Sequence, residues 1–481
     1  MVIVVTFATK RTSAPHSSPE IQDNMINFNP NIIPPVKGAY LVGGAVRDIL
    51  ARKIPDDFDF TVRDNPRKFA MALGENTGCP VIKLGKPGLI LYRIVSPLGV
   101  FDVSPMVGSN IHEDLANRDF TINAMALSVD SGGLIDPFHG LEDLIGKKIR
   151  MVSERSFVND PIRLLRAFRF SALFSFTIDR LTEKAIVAHR SLASQSAGER
   201  VHTEIKKIFA TKNAFKTVAA MAENGLLFTL FPELAPLKNC AQNRHHDFDV
   251  LEHTLLVLKH IEELLTGFPP FSDMFTRQHH WPMLKYAALF HDTGKPSCQS
   301  EKDGQIHFYG HETESAALFL SMADRLKFSN DEKKHGQAVI QNHLRPLFLF
   351  DNFRSGRLSA RSKTRLFMDC GQFTPDVLLH GLADSLSKRK DDEPDTKEEF
   401  MRFVREMAED YVTRHLPALD QSKLITGRDL IREYGLTPSP QFRAILGQVE
   451  EARLAGLIST RKEAGALVKK LLENPDAHSR A

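Results

Sequence analysis

Cysteine is scarce in this chain. Its four cysteines, Cys79, Cys240, Cys298 and Cys370, stand far apart, and no two have CxxC spacing. That excludes a disulfide-stapled scaffold and a cysteine-ligated zinc site, and it fits a reducing, cytoplasmic compartment. An excess of one charge is also missing: 62 Lys and Arg against 59 Asp and Glu leave +3. Any nucleic-acid contact must therefore come from local basic patches. No apolar run reaches the roughly 18 residues of a membrane-spanning helix, so no membrane association is expected. The opening MVIVVTFATKRT is apolar but short, and its charges follow the apolar run, so a signal peptide is not expected. No fixed period marks a repeat array.

Apolar residues make up 42% and charged residues 25% of the 481, a globular balance that excludes wholesale disorder. At roughly 150 residues per domain the length suits about three domains, and a chain of this size buries about three quarters of its unfolded surface. Residues 1–34, rich in Asn, Ser and Pro, read as a flexible tail, and translation starting at Met25 is compatible with that. Residues 38–150 mix short strand-like runs (GAYLVGG, DFDFTV, GLILYRIV, GVFDVS, INAMALSV, GLIDP) with helical patterns, an α+β signature. After Ser156 the strand signals fade and helical periodicity takes over. Eleven of the 19 histidines fall between His245 and His343. KRKDDEPD (388–395) is a charged, Pro-containing break, and the final 80 residues are helical in pattern.

Two groups of residues carry chemistry. In LVGGAVRDIL (41–50), Gly43 and Gly44 join a strand to a helix, so backbone can approach an anion at the helix start. The pattern is neither GxGxxG nor a Walker loop. One helix length later, DDFDFTV (56–62) sets Asp57 and Asp59 on one face of a strand and Phe58 and Phe60 on the other. Two neighbouring carboxylates repel, and a hard divalent cation relieves that repulsion; a solvated edge face is the alternative. Asp102, in VFDVSP (100–105), is a third carboxylate on an apolar strand, with a metal role or a structural hydrogen bond open to it. A phosphate cradle, a short helix and a carboxylate strand together make a nucleotidyl-transfer site. The second group centres on YAALFHDTGKP (286–296), helical up to His291–Asp292, with Gly294 and Pro296 ending the helix.

GGAVRD (43–48), DDFDF (56–60), DLANRDFTINAMAL (114–127) and NDPIRLLRAFRF (159–170), in that order, resemble the class II tRNA nucleotidyltransferase and bacterial poly(A) polymerase family. The match runs over 38–240, with family-like stretches to about 460. The resemblance implies a nucleotidyltransferase head (35–155), a helical nucleotide-selecting and RNA-binding neck (156–240), an HD domain (241–390) and a helical tail against the tRNA body (391–481). It implies transfer of CMP or AMP from CTP or ATP to the 3′ end of tRNA, with HD phosphohydrolase activity as an addition; A-only addition, by an A-adding enzyme or a poly(A) polymerase, and an HD phosphohydrolase with a nucleotide-binding head are the alternatives. Mg2+ would sit on Asp57 and Asp59, with Asp102 as the third catalytic carboxylate. Gly43, Gly44 and Arg47 would meet the triphosphate, Arg118 and Asp119 the ribose. Asp160 and Arg163 would read the base edge and Arg166 would hold phosphate. Asp160 also has the position of an N-cap before Pro161. Glu199 and Arg200 match a later motif and read as scaffold. Asn117 and Asn159 depart from the common Arg and Glu, and only 15 residues separate Asp102 from Arg118, so the long arm of some members is missing.

The adjacent His291–Asp292 resembles the HD phosphohydrolase superfamily. That likeness implies His253 and Asp384 as further ligands of a divalent Mn, Ni, Fe or Mg ion, with His311 and His343 available for a second. A metal-free RNA-binding body is the alternative. His245, His246, His279 and His280 read as surface loop residues, and Arg428, Arg443, Arg453 and Arg461 as candidates for tRNA phosphates.

Overall fold

A computed structural model describes residues 30–85, 90–241, 249–267, 281–303, 305–388 and 394–473. The tail up to residue 29, the four loop histidines from His245 to His280 named above, and residues 389–393 of the charged break lie outside them. The chain divides into two compact units. One runs to Ile205 and takes in Ala220–Leu230; the other comprises Lys206–Ala219 and everything from Phe231 onward.

The first unit is built on a seven-stranded mixed sheet. Its strands are β1 (Ala39–Val42), β2 (Asp57–Val62), β3 (Val81–Leu84), β4 (Leu91–Ser96), β5 (Gly99–Pro105), β6 (Ala126–Ser128) and β7 (Leu134–Ile135), in the order β3-β4-β5-β2-β1-β6-β7. Only β2 and β5 run parallel; the other pairs are antiparallel. The alternation in DFDFTV does what period two requires: Asp57 and Asp59 are exposed while Phe58 and Phe60 are fully buried. Phe58 stacks on Phe101 at 5.2 Å, and Phe60 meets Phe69 at 5.4 Å. Phe69 lies on the helix Pro66–Thr77, which Asn65 caps by accepting from the Lys68 N–H at 3.0 Å and Gly78 closes at positive φ. Emptying one such buried phenylalanine costs about 3–5 kcal/mol, so the carboxylate strand is pinned from its apolar side.

Among its described residues the regular structure of the second unit is helical except for a hairpin, Ser300–Lys302 with Gln305–His307. The helix carrying YAALF ends at Phe290, before His291, and Pro296 opens a short new helix (Lys295–Cys298) instead of closing the old one. Gly294 packs so tightly under the helix that begins at His311 that a Cβ would stand 2.6 Å from the His311 carbonyl. Near the C-terminus Ile425, Leu430, Ile445, Val449, Ala464, Val468 and Leu471 form a separate apolar cluster. Arg453 is buried there in a fork with Glu450, and Arg461 bridges Asp429 and Glu433, so both are committed within the chain; Arg428 and Arg443 remain exposed. No helix among the described residues is long and apolar enough to cross a membrane.

Candidate active site and a second histidine centre

Gly43 links β1 to the helix Gly44–Leu50 with φ 73° and ψ −134°, a region closed to side chains. A Cβ there would lie 3.0 Å from Arg118 Nη1 and 3.6 Å from Asp59 Oδ2, so the bare backbone lets these two groups close over the turn. Register sets Val42 opposite Asp59, and Asp59 opposite Asp102. The cleft in front, about 610 Å³, is lined by Gly43, Gly44, Asp57 and Asp59 and by six arginines: Arg47, Arg118, Arg163, Arg166, Arg169 and Arg200. Asp119 and Asp160 also line it, so ten of the eleven catalytic and nucleotide-binding residues expected of the head and neck gather at one cleft. The eleventh, Asp102, is not on its wall; a guanidinium fork from Arg93 on β4 holds both its oxygens at 2.8 and 2.6 Å.

The charges are sorted. Arg47 is forked onto Asp48 and donates to Asn123 Oδ1 at 2.7 Å, with its guanidinium 4.6 Å over the Phe174 ring. Arg118 is held by Asp114 at 3.1 Å. Asp119 is buried and accepts from the Phe120 N–H, Asn123 and Arg166. Burial pushes its carboxyl up, but Arg166 and these donors outweigh that and leave it below the ordinary range. Arg169 leans on Glu204 at 3.0 Å, and burial lowers it to about 10. Asp57 and Asp59 make no ion pair among the described residues. Desolvation raises the Asp59 carboxyl, Arg118 opposes this, and Asp102 and Asp57 add to it. Bare, hard oxygens on two neighbouring carboxylates are the donor set a divalent cation fits.

Asp160 does not cap the following helix. Its carboxylate turns instead to Arg200, bonded at 2.9 Å through both oxygens, because a two-point charged fork outweighs a single cap bond. Arg163 Nη1 donates to the Asn117 carbonyl at 2.8 Å, and its Nε lies 3.8 Å from Asp160. Arg169 follows Arg166 by three residues on the helix Ile162–Phe174, a spacing that was open to notice. Arg93 gave no such signal, since only strand pairing brings it to Asp102.

In the second unit, His253, His291, Asp292, His311, His343 and Asp384 come together from separate helices and turns, all buried. Ligand atoms of His253, His291 and Asp292 lie within 4.8 Å of one another, and so do those of Asp292, His311 and His343. His253 Nε2 is 2.9 Å from Asp384 Oδ1. In His291, His311 and His343 the Nδ1 atom meets the carbonyl of the residue three before it, at 2.8, 2.8 and 2.7 Å. A carbonyl only accepts, so each Nδ1 carries a proton, which leaves Nε2 as the nitrogen that a metal would take once it gives up its own proton. Lys295 and Lys388 approach Asp292 and Asp384 at 2.7 and 3.2 Å. Burial pushes both carboxyls up, yet His291 and Lys295 at Asp292, and Lys388 and His253 at Asp384, hold them well below the carboxylate range. Burial, with His291 and His311 beside it, takes His343 down to about 3. This donor set fits a transition metal or Mg2+. His380, one turn before Asp384, escaped sequence reading; it is fully buried, 4.9 Å from the His291 ring, and neither ring nitrogen has a hydrogen-bond partner among the described residues.

The head sheet and its carboxylate cleft define a nucleotidyltransferase. Residues 39–150 match the Poly A polymerase head domain, and residues 175–238 the probable RNA and SrmB-binding site of polymerase A. The chain is 31% identical over 463 residues to an A-adding tRNA nucleotidyltransferase of Deinococcus radiodurans, covering 93% of this chain and 99% of that one. A CC-adding tRNA nucleotidyltransferase of Thermus thermophilus is 28% identical over 444 residues, covering 90% and 93%. The fold matches that of a CCA-adding enzyme solved with CTP at TM-score 0.62 and 22% identity, over 91% of each chain. The chain belongs to the tRNA nucleotidyltransferase and poly(A) polymerase family and is an enzyme of that family.

Proposed function

We propose that the head transfers CMP and AMP from CTP and ATP to the 3′ end of tRNA, releasing pyrophosphate. The observation that carries this is the bare pair Asp57 and Asp59 at the Gly43 turn, facing a wall of arginines. Mg2+ bound by the pair supplies neutralisation of the triphosphate and activation of the 3′ hydroxyl. The arginines that line the cleft counter the remaining phosphate charge. Asp160 keeps for a base the acceptor lone pairs that its fork with Arg200 leaves over, and Arg163 beside it supplies donors, a protein edge able to pair with a base. Arg200, in this reading, fixes Asp160 in the geometry the base requires.

A-only addition is the second reading. It is favoured by the short link from β5 to the helix Ile111–Ala116, where no long arm intervenes, and by the A-adding relative. The histidine centre supports metal-dependent hydrolysis of a phosphate ester as an additional activity. Purified protein is incubated with tRNA ending before, within or after CCA, with each NTP alone. Extension from CTP and ATP supports CCA addition; extension only of tRNA ending in CC, by ATP, supports the second reading. Asp57→Asn and Asp59→Asn should abolish every extension, and normal incorporation by either removes the head assignment.

A further inference from the structure

We propose that Arg93 is a positioning residue that competes with the divalent ion for Asp102, so that the head alone holds its metal weakly. This rests on the nucleotidyl-transfer reading of the head. Three adjacent strands carry one row of charges: Asp59 on β2 is opposite Asp102 on β5, and Asp102 is opposite Arg93 on β4. Residues paired across strands share a face, so the row reads anion, anion, cation on the side that carries the carboxylate pair. Arg93 grips both oxygens of Asp102, at 2.8 and 2.6 Å. The Asp102 side chain is 16% exposed and that of Arg93 41%, so the cation sits on the solvent side of the acid it holds.

A carboxylate in a guanidinium fork has its best lone pairs occupied. With the fork closed, Asp102 is unavailable as a strong ligand, and a fixed positive charge stands two strands from Asp59. With the fork open, Asp102 adds a third hard oxygen beside Asp59. Arg93 therefore opposes a divalent ion in both arrangements, by occupying a ligand and by repulsion. A nucleotide triphosphate would bring its own oxygens and shift the balance, which couples firm metal binding to arrival of the nucleotide.

The test is Mn2+ binding to the full-length protein, followed by electron paramagnetic resonance without nucleotide. The head signal is the fraction lost in Asp57→Asn/Asp59→Asn, which separates it from any ion at the histidine centre. Arg93→Met should tighten head binding about tenfold, the factor that a charge-assisted fork of about 1.4 kcal/mol represents. Arg93→Lys, which keeps the charge without the fork, should give a smaller gain. In Arg93→Met/Asp102→Asn the gain should vanish, and ATP should narrow the difference between Arg93→Met and wild type. Unchanged or weaker head affinity in both Arg93 variants, with wild-type circular dichroism, overturns the proposal. Absence of any head signal in Arg93→Met and, with ATP present, in the wild type overturns the nucleotidyl-transfer reading beneath it, and this proposal with it.

Discussion

Gly43 and Gly44 look equivalent in sequence, yet replacing each with alanine should have very different consequences. Gly43 sits at φ 73°, ψ −134°, where a side chain costs about 1–3 kcal/mol. Its new Cβ would also stand 3.0 Å from Arg118 Nη1. That guanidinium cannot simply swing away, because Asp114 holds it at 3.1 Å and is itself buried with Thr61 and the Val107 N–H as partners. Gly44 is the first helical residue, and its Cβ would meet only Arg47 atoms at 3.5 Å or more, an ordinary contact. Gly43→Ala should therefore destabilise the head by about 1–3 kcal/mol, which speeds hydrogen exchange of slow β2 amides by roughly 5- to 150-fold. Gly44→Ala should leave those amides within about threefold of wild type, since it gains helix propensity and meets no clash. The single tryptophan, Trp281, lies in the second unit, so its fluorescence unfolding curve is an internal control that neither variant should move. Nucleotide addition should fall with Gly43→Ala and persist with Gly44→Ala. Equal exchange rates and equal activity in the two variants would refute the reasoning from backbone conformation.

Three further outcomes are expected. Arg200→Met releases the Asp160 carboxylate from its fork, so discrimination among the four NTPs should drop about tenfold, as should that of Arg163→Ala; unchanged selectivity would reduce both arginines to surface charges. His291→Ala/Asp292→Ala should remove bound transition metal, measured by elemental analysis, together with any phosphodiesterase activity, while tRNA extension continues; unchanged metal content would make the histidines a structural body. Asp429 is held at about 2 by the Thr426 hydroxyl and Arg461, below its unfolded value, so its stabilisation of the C-terminal helices is complete above about pH 4 and lost as pH falls toward 2. A carboxyl NMR titration with a midpoint near 4, or an acid limb unaltered in Asp429→Asn, would count against that.

Much of the head could be read without coordinates. Period-two alternation in DFDFTV separates acids from phenylalanines locally, and a glycine pair between strand and helix is a local signal too. The helix through YAALF ends with its apolar run at Phe290, whereas the close approach of the His311 carbonyl at Gly294 is a tertiary contact that no local pattern announces.

Residue types and their short-range spacing determined which groups were available: the carboxylate pair, the arginines of the helix Ile162–Phe174, and the adjacent His291 and Asp292. Tertiary structure decided which of them are already spent on one another. Asp160 goes to Arg200 across 40 residues, Arg166 to Asp119 across 47, and Asp384 to His253 across 131. Periodicity describes one element at a time, whereas an ion pair depends on distance between elements. That is why Asp57 and Asp59 could be recognised as candidates from the sequence, but only packing distinguished their bare oxygens from those of Asp102, closed in the fork of Arg93.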